Sequence, residues 1–147
     1  MRFRYPLQKI VDLKGSEKSL AEWEYAASLG LLREQEERLD HLFRERRETE
    51  ERLSRTAAAP VALAELTALQ QYLDMLDGQI RRQLEEVRNA EGQVRLKQSR
   101  LAEKSVDEKV WLKARDKAYQ RYRHEWLARE QNELDEMAIV RSAASRG

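Results

Sequence analysis

The 147-residue sequence contains no cysteine, only two prolines and five glycines, and two histidines. Without cysteine there can be no disulfides, thiolate metal sites or cysteine nucleophiles. Because proline and glycine build most turns, their scarcity leaves the chain few places at which to reverse direction. No N-terminal apolar stretch is long enough for a signal peptide or a membrane span, so we expect a cytoplasmic protein that does not insert into membranes.

An excess of charge of one sign is also missing. The 28 basic residues face 27 acidic ones, and the formal net charge is +1. Nucleic-acid-binding proteins usually concentrate basic side chains on one face, whereas here Arg44, Arg46 and Arg47 alternate with glutamates. We therefore expect no nucleic-acid partner.

What the sequence has is charge in abundance, at 37% of residues. Charged side chains must stay solvated, so each helix of such a chain can bury only a narrow stripe. This composition is typical of long helices and coiled coils, and it predicts an all-α protein without a thick globular core.

The second half of the chain carries a heptad stripe that starts at Leu66 and steps alternately by three and four. Nine of its eleven positions are apolar, where the overall composition would give about four or five. Such a repeat predicts the seam of a left-handed coiled coil. The eleven positions are Leu66, Leu69, Leu73, Leu76, Ile80, Gln83, Val87, Ala90, Val94, Lys97 and Leu101.

Beyond Leu101 the apolar residues change phase. The pattern predicts a stutter after which the stripe continues through Leu112, Tyr119, Tyr122 and Trp126. The first half of the chain follows the same stepping less regularly. Its stripe comprises Leu32, Gln35, Leu39, Leu42, Arg46, Thr49 and Leu53.

Pro60 marks the turn between the two stripes, because proline breaks a helix and pushes Ala59 towards an extended conformation. A rival turn signal at Gly78 is rejected, since the heptad phase runs through it unbroken. The sequence therefore predicts one domain over 1–147, an antiparallel coiled-coil hairpin of two long helices. We expect a first helix over about 5–56, a turn over about 57–61, a second helix over about 62–141 and a frayed tail over about 142–147.

The second helix is the longer one and should overhang. If the chain folds at Ala59, residue i of the first arm faces about residue 118 minus i of the second, and residues from about Ala114 onward have no intrachain partner. An aromatic stripe on an unpaired helix predicts a binding partner. Two alternatives stay open: the aromatic side chains pack against the N-terminal helix, or they form a homodimer.

No catalytic constellation is present in the sequence. His41 and His124 are far apart, and there is no glycine-rich phosphate loop, serine elbow or calcium loop. A two-helix hairpin also offers no pocket that would desolvate a substrate. We expect no enzymatic activity, no cofactor, no metal and no small-molecule substrate.

Several segments, taken in order, resemble the flagellar export protein FliJ family over nearly the whole chain. These segments are Phe3 to Lys14 followed by Glu17 and Lys18, Leu69 to Leu73 with Leu76 and Ile80, and Trp111 to Lys113 leading to Arg129, Glu130, Gln131 and Leu134 to Ala138.

The resemblance implies a soluble component of the flagellar type III export apparatus, similar in fold to the central stalk of rotary F-type ATPases. It implies three partners: the hexameric export ATPase, the membrane export-gate protein FlhA and export chaperones. The protein would then lie at the inner face of the cell membrane through the apparatus, as a stalk that couples the ATPase ring to the gate.

The resemblance also suggests which residues make these contacts. The terminal half would bind the ATPase ring, and the turn-side half would bind the gate. Some family members carry aromatic residues at the positions of Glu45 and Thr49, and this sequence departs from them there. The ring candidates are Trp111, Arg115, Tyr119, Tyr122, Trp126 and Arg129; the gate candidates are Arg38, Leu42, Tyr72 and Leu76.

Two other functions remain possible from the sequence. One is a structural coiled-coil protein that self-associates through the same stripe. The other is a chaperone or adaptor of a related secretion system.

Overall fold

A computed structural model of the chain describes residues 2–60 and 62–146. The described residues form two helices, α1 (Gln8–Ala57) and α2 (Leu63–Arg146), and no strand. The predicted all-α fold class, with a longer second helix, is confirmed.

The helix ends follow from local sequence. Pro6 lies in the turn that precedes α1, where the Gln8 amide donates to the Tyr5 carbonyl at 3.1 Å, so the helix begins at Gln8 rather than near residue 5. At the other end of the chain α2 remains helical to Arg146, although the sequence predicted a frayed tail from residue 142. Residues 142–146 include two alanines, and alanine has the highest helix propensity.

The predicted turn lies between the helices. The Ala59 amide donates to the Thr56 carbonyl at 3.2 Å, and the Glu65 amide donates to the carbonyl of Ala62 at 3.1 Å as α2 begins. Val61, which the prediction included, lies outside the described residues. Gly78, the rival turn signal, is helical.

The chain divides into two compact units. The turn-side unit comprises Ala21–Leu101, and the terminal unit comprises the residues up to Leu20 together with those from Ala102 onward. In each unit α1 and α2 run antiparallel, because contacts made by later residues of α1 involve earlier residues of α2.

The turn-side unit has the apolar interface. All eleven positions of the α2 stripe and all seven of the α1 stripe are buried or half-buried. Leu73, Leu76, Ile80 and Val87 are at most 8% exposed. Polar pairs also cross this interface. The Gln83 side-chain amide donates to Gln35 Oε1 at 2.7 Å and to the Gln35 carbonyl at 3.0 Å. Ion pairs join Arg46 to Asp77 and Lys97 to Glu24.

In the terminal unit charged side chains join the helices at several positions, beside buried Val11. Ion pairs cross the interface from Lys14 to Asp107 (2.9 Å), from Lys18 to Glu108 (3.3 Å) and from Lys104 to Glu17 (3.2 Å). These six residues are half-buried, and partly exposed pairs of this kind contribute little stability each. We infer that the turn-side unit holds most of the stabilising apolar contact.

The predicted position of the stutter is wrong at Leu112, which is 43% exposed, whereas Trp111 beside it is half-buried. Tyr119, Tyr122 and Trp126 are half-buried in the predicted phase, so the change of phase follows Trp111. Lys104, Glu108 and Trp111 continue the earlier stepping into the interface. Lys104 and Glu108 are charged, and their ion pairs with Glu17 and Lys18 let them occupy seam positions.

None of the helices in the part of the chain that the structure describes is both long enough and apolar enough to cross a membrane.

Candidate partner-binding surfaces

The first candidate surface lies in the terminal unit, on α2. We define the aromatic surface as Tyr119, Tyr122 and Trp126, all of which are half-buried. The ring of Phe3 contacts Tyr119 edge-on and Tyr122 at a tilt, with ring centroids 5.3 Å apart in each pair. The Tyr122 hydroxyl also donates to the Arg2 carbonyl at 2.9 Å.

The prediction that α2 has no intrachain partner from Ala114 onward is therefore wrong. Besides the Tyr119 and Tyr122 contacts, Arg115 donates to Gln8 Oε1 at 2.7 Å, where the pairing rule placed residue 110 opposite Gln8. The rule took Ala59 as the centre of the turn, but the helices end at Ala57 and begin at Leu63. It also considered only helical residues, and Phe3 precedes α1.

The unpaired part of α2 begins after the aromatic surface. Every described residue from 127 to 146 is exposed. Leu127, Leu134 and Met137 are 48%, 58% and 56% exposed, and their spacing of seven and three places them on one face. We call these three residues the C-terminal stripe.

Sequence reasoning did not single out the C-terminal stripe as a site. The available signal was the helical spacing of its three apolar residues. Two ring candidates differ in their position relative to this exposed part of α2. Arg129 lies within it and is exposed, whereas Trp111 lies well before it and is half-buried.

The second candidate surface lies in the turn-side unit around Tyr72. Its side chain is 37% exposed, and its phenol donates to Glu45 Oε1 at 2.5 Å. This hydrogen bond, more than burial, raises the pKa of Tyr72 above its usual value, because it stabilises the protonated phenol. The bond also fixes an exposed aromatic ring at the surface.

The other gate candidates differ in their access to solvent. Arg38 is exposed and Leu42 half-buried, and both line one shallow groove with Gln83. Leu76 is 0% exposed at the helix interface. Leu76 can support a binding surface from beneath but has no exposed atoms with which to contact a partner, which corrects its assignment as a contact residue.

The two departures from the family pattern have structural roles here. Glu45 accepts the Tyr72 hydrogen bond. Thr49 is 8% exposed, and its hydroxyl donates to the Glu45 carbonyl at 2.8 Å. A larger aromatic side chain at position 49 would have to displace neighbours in this interface.

His41 and His124 are both exposed. Among residues 2–60 and 62–146, no group of three or more histidine, aspartate or glutamate residues is arranged to hold a metal ion.

Comparisons with known proteins agree with the geometry. Residues 3–147 match the family model described as Flagellar FliJ protein. A Flagellar FliJ protein of Bacillus subtilis (strain 168) is 26% identical over 139 residues, which cover 95% of each chain. The structure of a YscO homologue from Chlamydia trachomatis superposes with a TM-score of 0.74 at 18% identity, covering 95% of this chain and 94% of the other.

Proposed function

The chain belongs to the flagellar FliJ family of the type III export apparatus, and from that premise we propose that it binds the export ATPase through its terminal unit and the export-gate protein FlhA through its turn-side unit. One chain would then couple the two partners. It would also handle export chaperones and reach the inner face of the membrane through FlhA.

The observation that carries the ATPase contact is the exposed end of α2. Exposing large apolar side chains to water is unfavourable, so a partner that buries them gains binding free energy. Leu134 and Met137 are more than half exposed on one face, and the aromatic surface with Trp126 precedes them on the same helix. The proposed ATPase contact comprises this aromatic surface, Arg129 and the C-terminal stripe.

Replacing both Leu134 and Met137 with alanine should weaken binding to the purified export ATPase by at least about tenfold, because apolar anchors dominate such interfaces. Isothermal titration calorimetry would measure the affinity. Ile139→Ala provides the matched control: this side chain is 68% exposed, but it lies five positions from Leu134, about 140° around the helix. Unchanged affinity in the double variant, or an equal loss in the control, would contradict the ATPase assignment.

The gate contact is supported by the fixed, exposed ring of Tyr72, since rigid aromatic side chains bind at a low cost in conformational entropy. Arg38 and Leu42 are the further proposed contacts, and Leu76 supports them from the interior.

Tyr72→Ala should lower the affinity for the soluble domain of the gate protein about tenfold and leave ATPase affinity unchanged. The affinity would be measured by the binding of each variant to the gate domain immobilised on a sensor surface. A suitable control is Phe43→Ala, because the Phe43 ring is similarly exposed at 41% but lines a separate groove with Asp77 and Ile80. The gate assignment fails if wild type and Tyr72→Ala bind equally well.

A further inference from the structure

The N-terminal segment, residues 2–5, has no regular secondary structure and lies on α2. It is attached through the Phe3 ring against Tyr119 and Tyr122, with centroids at 5.3 Å, and through a hydrogen bond from the Tyr122 hydroxyl to the Arg2 carbonyl. The segment therefore covers two of the three residues of the aromatic surface.

This attachment is weak compared with a packed helix. Residues 2–5 have no ladder of helical hydrogen bonds, and Arg4 in their middle is exposed. Phe3 stacks further on Tyr5 within the segment itself, with centroids 6.3 Å apart, a contact that survives when the segment leaves α2. Chain ends held by few contacts open at low free-energy cost.

We propose that the N-terminal segment is a removable cover of the aromatic surface, which it occupies in the free protein and leaves when the export ATPase binds. This inference rests on the proposed ATPase contact, because the segment and the ATPase cannot both occupy Tyr119 and Tyr122. The cover lowers the apparent affinity by the fraction of molecules in which it is open.

The covering contacts also define what must replace them. Phe3 offers an aromatic side chain to the two tyrosine rings, and the Arg2 carbonyl accepts the Tyr122 hydrogen bond. The ATPase segment that displaces the cover accordingly presents an apolar or aromatic side chain beside a hydrogen-bond acceptor. Without that acceptor the Tyr122 hydroxyl would be buried unpaired, which is unfavourable.

Phe3→Ala should tighten ATPase binding about tenfold, because loss of the ring contacts opens the cover. The matched control is Arg4→Ala, an exposed neighbour in the same segment, which should leave the affinity unchanged when surface charges are screened by salt. Circular dichroism would verify that both variants retain the helices. Equal affinity of Phe3→Ala and wild type, or weaker binding by Phe3→Ala, overturns the proposal.

A second measurement needs no ATPase. A variant that lacks residues 2–5 is titrated with a synthetic peptide of residues 2–7, and the ring signals of Tyr119 and Tyr122 are followed by NMR. The peptide should bind saturably to the truncated variant and not to the full chain, and the same peptide with Phe3→Ala should not bind. Identical ring signals of Tyr119 and Tyr122 in the full chain and in the truncated variant overturn the cover.

The two hypotheses fail in different ways. If Phe3→Ala binds the ATPase with wild-type affinity while the Leu134 and Met137 double variant binds more weakly, the cover is wrong and the ATPase contact stands. If no form of the chain binds the ATPase, the proposed function is wrong and displacement by the ATPase is wrong with it, while the NMR comparison still decides whether residues 2–5 cover Tyr119 and Tyr122.

Discussion

Leu76→Ala should lower the free energy of unfolding by about 3 kcal/mol, because removing a buried leucine side chain loses its transfer free energy and leaves a cavity. Leu76 is 0% exposed, and four of the six hydrophobic residues that are at most 8% exposed lie between Leu73 and Val87. A two-helix interface buries few side chains, so its most buried leucine accounts for a large share of the stability. Urea titration followed by circular dichroism at 222 nm would measure the change.

Met75→Ala is the matched control for this substitution. Met75 precedes Leu76 on α2 and is 46% exposed, so its removal should cost less than about 1 kcal/mol. Equal destabilisation by the two variants would show that the interface is not centred on Leu76. We expect the folded Leu76→Ala variant to retain its ATPase affinity, because the proposed ATPase contact lies in the terminal unit.

Replacing Gln35 and Gln83 together with leucine should raise the free energy of unfolding by about 2 kcal/mol and promote self-association. The two glutamines bond to each other at 2.7 Å at seam positions of a mainly apolar interface, where both are half-buried. Leucine at both positions buries more apolar area. A single polar pair in a coiled coil fixes register and partner at a cost in stability, so its loss lets a second copy compete.

Each single substitution should lower the free energy of unfolding, since it leaves one half-buried amide without its side-chain partner. The effect of the double substitution should therefore exceed the sum of the two single effects. A coupling free energy of about 1–2 kcal/mol between the two sites is expected in a double-mutant cycle. The comparison cycle pairs Gln35→Leu with Gln93→Leu, because Gln93 is exposed and should be additive. Light scattering would detect self-association. Additive effects at positions 35 and 83, with a monomeric double variant, would contradict a role in specificity.

Heptad spacing alone was enough to predict the turn-side interface. The steps from Leu66 to Leu101 place all eleven positions in or near the interface, because a 3.5-residue repeat leaves an α-helix only one continuous apolar face. Pro60 marked the turn for an equally local reason, since proline cannot donate a helical hydrogen bond.

The terminal unit was harder to predict because its seam is charged. Lys104 and Glu108 occupy seam positions because Glu17 and Lys18 lie opposite them. An ion-pair partner so distant in sequence leaves no local signal. The apolar residues alone therefore place the change of phase before Leu112, whereas in the structure it follows Trp111.

The sequence by itself determined two long helices, their antiparallel pairing about Pro60 and the family to which they belong, since each follows from short-range spacing or from motifs in order. Only the tertiary structure decided which surfaces are available. It buried Leu76 completely, covered Tyr119 and Tyr122 with Phe3, and left Leu134 and Met137 exposed. Exposure depends on what the other helix and the N-terminal segment bring opposite each residue, and no local pattern in the chain encodes that.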